Sequence, residues 1–148
     1  MSLSKDITFL LIACLAGIAM AGQGSMNSAV SKALGLSEAT FIVHLTATLT
    51  VLVILILGFG DGNWSNYSKV PWFYYIGGIL GVIITYGVVM SISKLGAGNA
   101  TTAIIVGQVL TACLIDHFGL FSVDKVCFTI WRALGIVFLA LGAKLLLK

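Results

Sequence analysis

Long apolar runs alternate with short polar breaks along this chain. A helix needs about 20 apolar residues to cross the hydrocarbon core of a membrane. Five runs of about that length are present, over about residues 7–30, 39–59, 71–92, 100–118 and 126–147. The break between the second and third, Gly60–Lys69, is the one clearly polar stretch. Pro71, the single proline, follows it and is predicted in the first turn of the third helix, where a missing N–H costs nothing. Trp64, Tyr67, Trp72, Tyr74 and Tyr75 gather around this break, as aromatic residues do at a membrane surface. Ser37 is predicted to cap the second helix, with Glu38 in its first turn, where the helix dipole favours a carboxylate. The remaining connections, Leu95–Asn99 and Gly119–Lys125, are short and make consecutive helices antiparallel neighbours.

The first run carries a second pattern. Lys5, an apolar stretch and Ala19-Met20-Ala21 match a secretion signal with its cleavage site. Apolar residues continue past that site and four more runs follow, so the first run is read as a retained span. No segment reads as a soluble domain, a linker or a low-complexity tract. Residues 1–148 are therefore read as one all-α, polytopic transmembrane domain with five spans.

Composition narrows the classes. Of the 148 residues 59% are hydrophobic and 9% charged, against about 25% charged in soluble domains. A soluble fold of this size buries too little area to hide that apolar surface, so the lipid bilayer is the expected solvent. The net charge of +3 is spread along the chain without a basic stripe, and no nucleic-acid partner is expected. Cys14, Cys113 and Cys127 lie in apolar runs without CxxC spacing and read as buried free thiols. No metal site and no cofactor is expected. P-loop, GxSxG and HExxH patterns are absent. The expectation is a protein that is neither an enzyme nor an ATP-driven pump.

The charges also bear on topology. With the N-terminus in the cytoplasm, five spans put Lys5, Lys69, Lys125 and Arg132 inside and Lys32, Lys94, Lys144 and Lys148 outside. The positive-inside rule then favours neither orientation. A chain without this bias can insert both ways, and two copies can pair head to tail about an axis in the membrane plane. That is the inverted-repeat plan of many secondary transporters, assembled from two chains. The alternative is one fixed orientation set by a feature other than these charges. Small residues suit close helix packing in lipid: Gly17, Ala21 and Gly24 in the first span, Gly77, Gly78 and Gly81 in the third, Gly135 and Gly142 in the fifth.

Polar residues inside spans are expensive and mark candidate sites. Gln23 and Asn27 are four apart and share a helix face. His44 lies about two turns into the second span, Thr85 and Tyr86 deep in the third, and Gln108 near the middle of the fourth. One reading is a midplane cavity lined by Gln23, Asn27, His44, Tyr86 and Gln108 that binds a small molecule or ion. The other is interhelical hydrogen bonding that holds the bundle together. For the threonines, bonds to their own helix carbonyls are expected. Asp116, His117 and Arg132 form a second group where the fourth span ends and the fifth begins. An Asp116–Arg132 ion pair is expected there, with proton coupling through Asp116 or His117 as the functional alternative.

Specific strings carry a family likeness. They are Gly22-Gln23-x-x-x-Asn27, Pro71-Trp72 with Gly77-Gly78-x-x-Gly81, Gly107-Gln108 through Ile115-Asp116-His117-Phe118-Gly119-Leu120, and Arg132 with Gly135 and Gly142. On these, nearly the whole chain resembles the YdcZ family of the drug/metabolite transporter superfamily. The second span departs from the small-residue pattern, with His44-Leu45-Thr46-Ala47-Thr48 in its place. The resemblance implies a bacterial inner-membrane protein that forms half of a ten-helix transporter. It implies assembly as an antiparallel homodimer or a paired heterodimer, and the superfamily suggests export. The reading that follows is a transporter half moving a small solute by alternating access. Its rivals are a passive channel made by the same dimer and a subunit that needs a paired partner chain.

Overall fold

The computed structural model describes the backbone of residues 3–60 and 62–148 and the side chains from Ile7 onward. The side chains of Lys5 and Asp6, and Asp61, which enter the charge inventory, lie outside the described residues. The described residues form helices and turns, without a strand. The helices are α1 (Leu3–Leu34), α2 (Leu36–Ile56), α3 (Gly77–Leu95), α4 (Ala97–Phe118) and α5 (Ile130–Leu146). Short 3-10 turns cover Trp64–Lys69, Trp72–Ile76 and Leu120–Ser122.

Four helical stretches among the described residues are long and apolar enough to cross a membrane: Ile7–Leu34, Leu36–Ile56, Trp72–Leu95 and Ala97–Phe118. The fifth helix, α5, is shorter, at 17 residues. Its expected start at Val126 moves to Ile130, because residues 123–129 are not helical. Backbone bonds hold that stretch away from a helix: Val126 N–H donates to the Asp116 carbonyl at 2.9 Å. Thr129 then caps α5, its Oγ1 accepting the Arg132 N–H at 3.3 Å.

Other boundaries shift for a shared reason. Gly35, with φ 102°, is the single residue between α1 and α2, and Gly96, with φ 81°, separates α3 from α4. Glycine takes these left-handed angles without a Cβ penalty, so one residue suffices to break each helix. The N-cap of α2 is accordingly Gly35 and not Ser37, which lies in the first turn. Residues 97–99, expected in a connection, are the first turn of α4. Pro71 precedes a 3-10 turn, and α3 itself begins at Gly77.

The chain divides into two compact units, Met1–Ser93 and Lys94–Lys148. In the first, α1 packs on α2, and α3 meets both through side chains described below. Its packing is confined to one end. Ser28, Ala39, Thr40, Val89 and Ile92 are buried there, with Gly24. At the other end residues 7–20, 45–60 and 67–80 are all exposed. Tyr75 folds back at that end, donating its hydroxyl to the Tyr67 carbonyl at 2.8 Å, with the two rings stacked at 4.7 Å. In the second unit α4 and α5 form an antiparallel hairpin, in which Ala100 and Ala143 are buried.

Candidate functional site

The packed end of the first unit is held by small side chains and hydroxyls. Gly24 of α1 lies against α3 so closely that a Cβ would stand 2.8 Å from Ile92 Cδ1 and 3.0 Å from Val88 Cγ1. One turn on, the Ser28 and Ser93 hydroxyls share a hydrogen bond of 2.9 Å. Between α2 and α3, Tyr86 donates its hydroxyl to Ser37 Oγ at 2.7 Å. Further along, His44 Nε2 lies 3.2 Å from Thr85 Oγ1, and a Cβ on Gly81 would lie 3.6 Å from the imidazole. Thr85 gives its one proton to the Gly81 carbonyl at 3.0 Å. His44 is therefore assigned as the donor to Thr85, which leaves its Nδ1 as a hydrogen-bond acceptor.

Six further hydroxyls close bonds to their own helices. Ser25 donates to Ala21, Thr40 to Leu36, Thr46 to Val43, Thr48 to His44, Thr50 to Thr46 and Thr102 to Gly98. A hydroxyl can reach the carbonyl a turn back, so these residues sit in a span at small cost. The amides behave differently. Among the described residues the side chains of Gln23, Asn27 and Gln108 make no hydrogen bond. Asn27 is half-buried beside the Gly24–Ser28 face, while Gln23 and Gln108 are exposed.

The structure thus ties His44 and Tyr86 to α3 and α2 contacts at one end of the first unit. Gln23 and Asn27 belong to α1 of the same unit, and Gln108 to α4 of the second. Ser28, Ser37 and Ser93 have roles that sequence reasoning missed. Ser28 continues the small-residue face of Gly17, Ala21 and Gly24 by four residues, a spacing that could have revealed it.

The second group sits at the α4–α5 turn. Arg132 Nη1 lies 3.1 Å from Asp116 Oδ2, with both side chains about one-third exposed (32% and 33%). His117 Nδ1 accepts the Phe128 N–H at 3.3 Å, which puts the proton of the neutral ring on Nε2. The Asp116 carbonyl accepts Val126 N–H and Gly119 N–H. These contacts hold a strained turn, since Phe121 and Ser122 have φ of 57° and 64°. Non-glycine residues in that region cost about 1 kcal/mol or more each. Among the described residues no three of His, Cys, Asp and Glu gather to hold a metal ion, and Cys14, Cys113 and Cys127 are free thiols, though Cys14 and Cys127 are exposed where burial was expected.

The family model described as "Putative inner membrane exporter, YdcZ" matches residues 8–145, nearly the whole chain. No curated protein and no solved structure gives a significant match. The chain belongs to the YdcZ family of inner-membrane transport proteins.

Proposed function

From that membership as premise, we propose that the protein is half of a ten-helix transporter, in which two copies inserted in opposite orientations move a small solute outward by alternating access. The observation that carries the reading is that, among the described residues, the side chains of Gln23 and Asn27 have no hydrogen-bond partner within their unit and that of Gln108 has none within its own. A polar group within a membrane needs a hydrogen-bond partner. Hydroxyls supply their own; these amides do not. Their partners come from outside the chain, as solute, water or a second copy. His44 Nδ1 adds an acceptor of the same kind. Gln23, Asn27, His44, Tyr86 and Gln108 are the proposed solute-binding groups.

The balanced charges support paired insertion, four cations to a side when α5 is the fifth crossing. Its 17 residues extend about 25 Å, near the lower limit for a span. Gly77, Gly78, Gly135 and Gly142 have open space where a Cβ would stand, which suits close approach by another helix. Asp116 and Arg132 serve in this reading to hold the α4–α5 turn. No catalytic chemistry is assigned to any residue.

The test is efflux from proteoliposomes loaded with a mixed pool of small polar metabolites and followed by mass spectrometry. Gln23→Leu, Asn27→Leu and Gln108→Leu are each expected to cut the efflux of the transported species at least 10-fold. Unchanged efflux in all three would overturn the assignment of the amides.

A further inference from the structure

The two ends of the α4–α5 hairpin differ in charge. At the turn end Arg132 is neutralised by Asp116, and Asp124 lies in the same connection. At the opposite end stand Lys94, Lys144 and Lys148, and none of them has an acidic side-chain partner among the described residues. Both Asp residues of this unit are at the turn end, and it contains no Glu. The end near Lys144 therefore has no acidic side chain of its unit beside it.

Lys144 also lines a cleft of about 560 Å³ between α4 and α5, with Ala103, Val106, Ala140, Ala143 and Leu147. Three alanines make its floor shallow and smooth, and Lys144 is its only polar lining residue. A second cleft of about 440 Å³ in the same hairpin is lined by Leu110, Cys113, Leu114, Phe128, Ala133 and Ile136 and carries no charge. An apolar slot that ends in an unpaired ammonium is complementary to an amphiphile with an anionic head. In a membrane that amphiphile is an anionic phospholipid.

We propose that the cleft lined by Lys144 is a binding site for an anionic phospholipid, its phosphate on Lys144 and an acyl chain along Ala103, Ala140 and Ala143. The lining of the cleft includes none of the proposed solute-binding amides, and the proposal does not depend on them. The lysine stem lies along the slot while its ammonium reaches the headgroup layer. An uncharged cleft such as the second one takes acyl chains without regard to headgroup.

Native mass spectrometry of the delipidated full chain, titrated with phosphatidylglycerol or phosphatidylcholine, tests this. The wild-type chain is expected to retain phosphatidylglycerol about 5-fold better, the weight of one lysine near an anionic headgroup. Lys144→Gln should abolish that preference, while Lys32→Gln in α1 should keep it. Ala140→Leu places bulk in the slot at an exposed position and should weaken retention of both lipids. The site is overturned if Lys144→Gln keeps the preference, or if Ala140→Leu leaves lipid retention unchanged. It is also overturned if soluble glycerol 3-phosphate displaces the lipid as well as phosphatidylglycerol itself does, or if Ala140→Leu alters only self-association, which would give the slot to a second copy.

Discussion

Within the first unit the same three helices behave oppositely at their two ends. Where residues 24–44 meet residues 81–93, Gly24 admits α3 against α1, and hydroxyl, phenol and imidazole groups bridge the helices. Across residues 7–20, 51–59 and 70–80 the side chains are mostly aliphatic or aromatic, and all are exposed. Apolar side chains gain nothing by leaving lipid for one another, so small residues and polar bonds decide where membrane helices join. At the aliphatic end Gly17, Gly77 and Gly78 have nothing within 4 Å of a Cβ, and among the described residues no side-chain hydrogen bond joins α1, α2 and α3 there.

The contrast can be broken most strongly by bulk. Gly24→Leu at the packed end forces Val88 and Ile92 aside, and overpacking of this kind costs about 2 kcal/mol. Gly17→Leu, on the same helix but with nothing within 4 Å of a Cβ, should change stability by less than about 0.5 kcal/mol. Thermal unfolding of both variants in detergent checks the difference, and equal losses would erase the distinction between the ends. Tyr86→Phe removes the bond to Ser37 and should cost about 0.6 kcal/mol, the average for such pairs in membranes. Asp116→Asn in the second unit should cost no more than about 0.5 kcal/mol, because a pair this exposed is screened. Gln23→Leu and Asn27→Leu should leave stability unchanged within about 0.5 kcal/mol, since no intrachain bond is lost. A clear loss in either would show that the amide holds the bundle together and is not free for a solute.

The helical class and the first four spans were legible because long apolar runs have no other use in a chain this poor in charge. The ends of those spans were less so. Gly35 and Gly96 break helices through a positive φ that composition does not display, and polar residues such as Ser31 and Lys32 simply continue the helix. The start of α5 was misjudged because Val126 to Phe128 look like the opening of a span. Their backbone is instead bound by the Asp116 carbonyl and His117 Nδ1, contacts that no local pattern encodes. The threonine bonds were readable, being set within one helix turn. The Ser28–Ser93 and Ser37–Tyr86 bonds were not, because their partners lie 65 and 49 residues apart.

The most direct measurement is the labelling of one engineered cysteine at Ser122, in the α4–α5 turn, with Cys14, Cys113 and Cys127 replaced by serine or alanine. A membrane-impermeant maleimide is applied to intact spheroplasts and then to inverted vesicles. Antiparallel pairing predicts about half of the chains labelled from each face. Labelling confined to one face would contradict the pairing of this chain with an inverted copy of itself.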